Sequence, residues 1–386
     1  MREKGKAVNV NANSAVGGRL ASLDVARGFD MLWIMGLSGL VIKVCAAFGY
    51  GPETAIAAQM EHLHWVGLHF MDFIFPTFIF IAGISFPYSI AKQRERGMTT
   101  AQSLRKIWRR TVTLVLLGLV YNAMLYHGPA KTVWGSVLAR IGLSWGLAAT
   151  LAVLVRGVRA RVWICAGILV GYWAVCVFVG APDNPSADNL SMEGCFAGWV
   201  DRMLLPGKLT HPGVISAQGI LSTQPAVATA MLGIFTGEYV RNGAASGVHK
   251  STMMFLSSVA LVLAGLVVAF GCGPYSFPII KKLWSTSYVL VCAGYSLALF
   301  TVCYFLIDVK DWWKHYLFFQ VIGLNAITIY LAQTIVGVRQ SKDLLFTWVS
   351  SFFPAGWDAV VLQLGYIAIC WAFLYFLHKH KIYLKV

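Results

Sequence analysis

Glu61, His62, His64, His69 and Asp72 fall within twelve residues, at the head of a run that is otherwise apolar as far as Gly83. Imidazole is the side chain that exchanges a proton near neutral pH, so three of them beside an acid point to proton transfer or nucleophilic chemistry. Asp72 is placed to hold one imidazole in a useful tautomer, as the acid of a catalytic triad does. His62 and His64 stand two apart, a spacing that suits chelation from a strand, but no further ligand accompanies them and no metal is expected.

Other ionisable groups interrupt apolar stretches: Asp30, Arg140 and Glu238. A charge at the centre of a membrane span costs on the order of 3 kcal/mol, so each is expected to face a cavity or a partner, as substrate-binding or structural residues. A structural ion pair between Asp72 and Arg140 accounts for those two as well as a catalytic role does. In "SLDVARG", Ser22 can cap a helix start, and Asp24 and Arg27, three apart, can pair on one helical face.

The elements that must position these groups follow from composition. Hydrophobic residues make up 58% of the chain and charged residues only 12%, a balance that excludes a purely soluble domain. Ten apolar runs approach the roughly 20 residues a spanning helix needs. They are 29–50, 67–91, 111–127, 137–155, 162–181, 223–240, 252–272, 285–308, 316–337 and 358–378. The runs lack the alternation of a lipid-facing strand, so the expected class is all-α: a polytopic integral membrane helical bundle. With a cytoplasmic N-terminus, twenty-two Lys and Arg fall on the inner side and seven on the outer, which puts both termini in the cytoplasm. The net charge of +15 is then a topology signal, and no soluble basic face exists for nucleic acid.

Residues 1–18 read as a disordered cytoplasmic lead, and 19–386 as a single transmembrane domain. The longest loop, about 182–222, falls on the outer side and is rich in Pro, Gly, Asn and Asp, which rules out a continuing helix. Trp199, Met203, Leu204 and Leu205 can pack on the membrane surface there. Eight cysteines without a CxxC pair argue against a disulfide framework.

The order of motifs carries more. "RLASLDVARGFDMLWIMG" and "HLHWVGLHFMDFIFPTFIFIAG", then "VLARIGLSWG", "GILSTQPAVATAMLGIFTGE", "PIIKKLWSTSYVL" and "GLNAITIYL", resemble in sequence and order the transmembrane acetyltransferase family that includes heparan-α-glucosaminide N-acetyltransferase and its bacterial homologues. The resemblance implies transfer of an acetyl group from cytoplasmic acetyl-CoA to a glucosamine-type amino sugar or glycan on the far side of the membrane, the bacterial inner membrane here. In the family's H-x-x-W-x-G segment Trp65 and Gly67 match, so His62 inherits the essential histidine's role and faces the outer side; Asp72 matches the acid of D-x-x-F-P. Two departures bear on acceptor choice: Ser216, Ala217, Gln218 and Gly219 stand where the family often has D-P-E-G, and Ser38 where the lysosomal member has asparagine.

For the donor's phosphates, Arg27 and Arg105 are the expected partners, with Lys106, Arg109 and Arg110 also available. Asn325 is expected to line the path of the pantetheine arm or to join two helices. Trp65 is expected to bind substrate or support the site. Homodimerisation is left open. The competing reading is a proton-coupled secondary transporter in which Asp30, Asp72, Arg140 and Glu238 form the relay; it lacks the repeated halves such transporters show.

Overall fold

The computed structural model describes residues 20–126, 133–335 and 338–384. The lead 1–18, together with Arg19, Lys131 and Lys385, lies outside them. Among the described residues the chain is helical, with only isolated β-bridges between loops.

The first span begins earlier than expected, with α1 (Ala21–Leu32) leading through a π-helical turn at Trp33–Leu37 into α2 (Ser38–Ala47). Leu20 takes the N-cap position, so Ser22 is a buried first-turn residue and not the cap. Asp24 and Arg27 do pair, at 3.5 Å. The π turn is tied from elsewhere: Gln363 donates to the Gly36 carbonyl at 2.9 Å and accepts from Lys43 at 2.8 Å. Ser38 donates back to the Trp33 carbonyl at 3.1 Å.

After the short α3 (Ala55–Gln59), α4 (Ile74–Glu95) and α5 (Thr100–Tyr126) follow. The start of α5 is fixed by a reciprocal cap, Thr99 with Gln102. Next come α6 (Val137–Leu154), capped by Ser136, and α7 (Val158–Phe178). The long loop contains α8 (Phe196–Leu204), nine residues that its Pro and Gly content had concealed. It buries Ala197, Gly198 and Asp201 and leaves Met203 and Leu204 exposed. The remainder is α9 (Thr223–Arg241), α10 (Gly247–Leu266), α11 (Thr286–Tyr304), α12 (Leu317–Leu324), α13 (Ala326–Ile335), α14 (Val338–Ser350) and α15 (Trp357–Lys379).

Seven helices are long and apolar enough to cross a membrane, or eight when α12 and α13, bent by 70°, count as one broken span. The expected single span at 316–337 is thus broken at Asn325. Among the long helices, α5 and α9 are not in that set. α5 starts with Arg105, Lys106, Arg109 and Arg110. α9 is buried along most of its length and built from Ala, Gly and Thr, so it packs against protein and has little need of lipid-compatible bulk. It crosses α4 where Gly83 and Gly233 face each other's backbone, a contact that any Cβ would push apart. The central core is formed by α4, α6, α9 and α11, with α1 and α12 against it.

Candidate active site

His62 lies in the extended segment between α3 and α4, and its side chain is 60% exposed. A single 3₁₀ turn, Phe70–Asp72, turns the chain into α4 and buries Asp72. The segment is held to the loop before α11 by a bridge between Val66 and Ile280 and by the Gly67 amide donating to the Ile279 carbonyl at 2.8 Å. Gly67 has φ +119°, a conformation that a side chain resists, so this close pairing depends on glycine.

The pairing brings three side chains together. Asp72 Oδ1 lies 2.9 Å from His62 Nδ1 and 2.9 Å from Lys281 Nζ, and the lysine is also 2.9 Å from His62 Nδ1. Asp72 Oδ2 accepts from the His69 amide at 3.0 Å and the Leu63 amide at 3.5 Å. Tyr288 donates to the Asp72 carbonyl at 2.6 Å and fixes the turn from beneath. A buried carboxylate with this many donors stays ionised and oriented. Asp72 and Lys281 compete for His62 Nδ1: in the tautomer whose Nδ1–H donates to Asp72, the Lys281 ammonium donates to Asp72 alone, its approach to Nδ1 is no hydrogen bond, and His62 Nε2 keeps its lone pair for an incoming proton. Burial pulls the Lys281 ammonium below the ordinary lysine range, and the adjacent Asp72 carboxylate opposes that.

Lys281 was missed as a site residue in the sequence, where it counted toward topology and stood unremarked within the motif "PIIKKLWSTSYVL". Its signal is the adjacent pair Lys281–Lys282 in a segment assigned to the side poor in cations.

The ion pair between Asp72 and Arg140 does not form. Arg140 is buried on α6, donates to the Ser222 hydroxyl and to the Gly219 carbonyl, and sits 4.9 Å over the Trp284 ring. It faces the start of α9, while Asp72 faces the loop before α11. Glu238 on α9 instead receives a forked pair from Arg161 on α7, at 2.7 and 3.0 Å. Asp30 is buried on α1 with one carboxylate oxygen unpartnered. The rings of Trp33 and Phe70 meet at 4.7 Å, and Phe73 and Tyr295 at 4.3 Å, forming an aromatic layer close to the Asp72 turn. Trp65 donates to the Leu190 carbonyl at 2.9 Å and so ties the His62 segment to the long loop.

A second feature opens at the other end of α4. A cavity of about 610 Å³ is lined by Phe78, Ala82, Ser85, Tyr88, Ser89 and Lys92 of α4, by Arg27, by Arg110, and by Asn325 with Thr328 at the break between α12 and α13. From Phe78 to Lys92 that wall extends about 21 Å, and Phe78 is about 9 Å of helix from Asp72. Arg110 stacks 4.3 Å over Trp145. Both side-chain polar atoms of Asn325, the Thr328 hydroxyl and Arg110 Nε are buried without a protein partner.

A family model described as heparan-alpha-glucosaminide N-acetyltransferase, catalytic, matches residues 19–194. Human heparan-alpha-glucosaminide N-acetyltransferase is 25% identical over 97% of this chain and 61% of its own length. The chain resembles the heparan-α-glucosaminide N-acetyltransferases. The mouse protein of the same name is 24% identical over 95% of the chain and 60% of its own length. The chain therefore spans about three fifths of these relatives. The region matched by the family model holds His62, Asp72, Arg27 and Arg140; Lys281 and Asn325 lie beyond it.

Of the residues assigned to the acetyl donor, the structure places Arg27 and Asn325 in the cavity wall. Arg105 is exposed on α5 and is not part of that wall; Arg110 and Lys92 are. Among the described residues, no group of three or more His, Cys, Asp or Glu is placed to hold a metal.

Proposed function

We propose that this protein is an integral-membrane acetyltransferase that moves an acetyl group from cytoplasmic acetyl-CoA to a glucosamine-type amino sugar on the outer side of the membrane. The observation that carries the reading is the triangle of His62, Asp72 and Lys281 at one end of α4, with a basic cavity holding unpartnered polar groups along the rest of that helix. The likeness to the acetyltransferases supports it. The proposed topology has ten membrane-crossing segments, α5 and α9 included, with both termini in the cytoplasm and the bacterial inner membrane as the site.

The cavity fits a donor with phosphates and amide groups. Arg27, Lys92 and Arg110 would take the phosphates, and Asn325 offers a donor and an acceptor to amide groups of the pantetheine arm. Acetyl-CoA, when bound, supplies the activated thioester. His62 supplies the base: as the acceptor's nitrogen bonds to the acetyl carbon and the thioester C–S bond breaks, Nε2 takes the nitrogen's proton and returns it to the leaving sulfur, so that the thiol of CoA is released, while Asp72 holds Nδ1–H and balances the transient imidazolium. Lys281 keeps Asp72 in place. Transfer is direct, because an acetyl group resting on an imidazole this exposed would be open to water.

The transporter reading loses its relay. Asp72 is bound to Lys281, Glu238 to Arg161, and Arg140 to Ser222, and among the described residues no hydrogen bond joins these three groups to one another.

Radiolabelled acetyl-CoA, incubated with purified protein and amino sugars, should yield acetylated sugar without any vesicle gradient. Gradient-driven sugar uptake by vesicles with no acetylation would establish the transporter instead. A single cysteine at Ser186 should react with an impermeant reagent from outside; labelling only after membrane disruption would invert the topology.

A further inference from the structure

The last turn of α15 closes on a Schellman cap. The Ile382 amide donates to the Leu377 carbonyl at 2.8 Å and the Lys381 amide to the His378 carbonyl at 3.0 Å. Such a cap needs a residue in the left-handed conformation, a place usually filled by glycine; here Lys381 takes it, with φ +57°. Trp284 shares that conformation but is fixed by burial, whereas Lys381 is exposed. The cap turns the chain back on itself, and the Tyr383 hydroxyl meets His378 Nδ1 at 3.2 Å. Among the described residues, the hydrogen bonds of Lys381, Ile382 and Tyr383 all return to α15.

That turn carries Tyr383 and Leu384 to the cavity along α4, where they share the wall with Leu20, Arg27 and Lys92. Leu20 caps the start of α1 and Lys92 lies in the last turn of α4, so the segment crosses the cavity at the end remote from His62. Ile382 and Leu384 are 52% and 48% exposed, apolar side chains spread over an opening and not packed into a core. We propose that Lys381–Leu384 is a strap over this end of the cavity, hinged at Lys381, which swings out to admit the acetyl donor and to release CoA. This rests on the donor site of the acetyltransferase reading and adds a gate to it. A donor whose phosphates reach Arg27 and Lys92 does so past Tyr383 and Leu384. The closed strap carries the cost of a left-handed lysine, offset by the two cap bonds and the Tyr383–His378 contact. Changing that cost shifts the fraction of open strap without touching the ligand, so entry and exit rates move together and the equilibrium affinity stays.

The test measures association and dissociation rates of radiolabelled CoA on the purified full chain by rapid filtration. Lys381→Gly suits the left-handed position and should slow both rates about threefold, while Lys381→Val, whose branched side chain resists it, should speed both about tenfold. The Kd should stay within about twofold in either variant, since a gate acts on both directions alike. Both variants lose the same exposed charge, so the difference between them reports the backbone alone. Tyr383→Phe, which frees the strap from His378, should speed both rates as well, and it decides the matter if Lys381→Val does not fold. Equal rates in Lys381→Gly and Lys381→Val, or a change confined to dissociation, would overturn the gate and make the segment a fixed wall, with the acetyltransferase reading intact. Failure of the unaltered protein to bind CoA overturns both.

Discussion

The two ends of α4 are built on opposite principles. Around Asp72 every carboxylate lone pair meets a donor: His62, Lys281 and two backbone amides. Along the cavity, Asn325, Thr328 and Arg110 each keep a buried polar atom with no protein partner. Buried polar groups are ordinarily paired, so the first end is complete without a ligand and the second is not. A completed, rigid acid–base pair suits the step in which a proton moves; an uncompleted cavity suits a large polar substrate that finishes the pairing as it binds.

The comparison breaks most visibly at His62. His62→Ala is expected to lower turnover at least about a hundredfold, the usual scale for a general base, with folding intact because the side chain is mostly exposed. His64→Ala should lose little. Lys281→Met acts differently: it leaves the buried Asp72 carboxylate without its fixed cation, at a cost of about 3–5 kcal/mol in stability, together with loss of turnover. A thermal melt separates the two variants. Unimpaired turnover in well-folded His62→Ala would remove the base from the proposed reaction.

At the other end the expected effect is smaller and of another kind. Asn325→Leu should raise the KM for acetyl-CoA about tenfold, the worth of one or two hydrogen bonds, and leave the KM for the sugar unchanged. Equal changes in both constants would mean that the cavity and the His62 mouth are one site, and the contrast between them would fail.

How far each end was legible in the sequence differs for physical reasons. His62 and Asp72 lie ten residues apart in one stretch: local spacing grouped Asp72 with three histidines, and the family resemblance singled out His62 among them. Lys281 stands 209 residues from Asp72, and only the fold joins them. The helices were legible because lipid-facing runs must be apolar, and α9 was found even though protein covers most of it. Breaks were harder: the π turn at Trp33–Leu37 and the bend at Asn325 are packing events, stabilised by Gln363 in the first case, that apolar runs do not announce. Arg105 was preferred over Arg110 because both are basic on the same helix. Five residues turn the helix by about 140°, enough to take one to the cavity and the other to the exterior.

A pH-dependent signature belongs to the long loop. Asp201 on α8 is buried, and burial pushes its carboxyl up to about 6, against the lowering effect of the Ile220 and Ser216 amides. The folded protein thus holds this proton up to about pH 6, whereas the unfolded chain releases it near the ordinary 3.8. Folded-state proton binding exceeds unfolded-state binding across that window, so this group's contribution to stability falls as pH rises from about 4 to 6 and is flat above. The loss is at most about 3 kcal/mol. Melting temperatures of the unaltered protein and of Asp201→Asn, measured from pH 4.5 to 7.5, should differ with that slope. A constant difference across the range would show that Asp201 is ionised throughout in the folded protein.

The smallest effect is expected on the surface of α5. Arg105 is exposed, and an exposed charge acts on a ligand only within a screening length of about 8 Å at physiological salt. Arg105→Ala should therefore change the KM for acetyl-CoA by less than about twofold, while Arg110→Gln, which removes a cavity-lining guanidinium, should raise it several-fold. The pair makes a sharp control, since both variants remove one positive charge from the same helix and alter topology signals equally. If Arg105→Ala weakens the donor as much as Arg110→Gln, then phosphates lie on the outer face of α5 and not in the cavity, and the unpartnered atoms of Asn325 and Thr328 need another ligand.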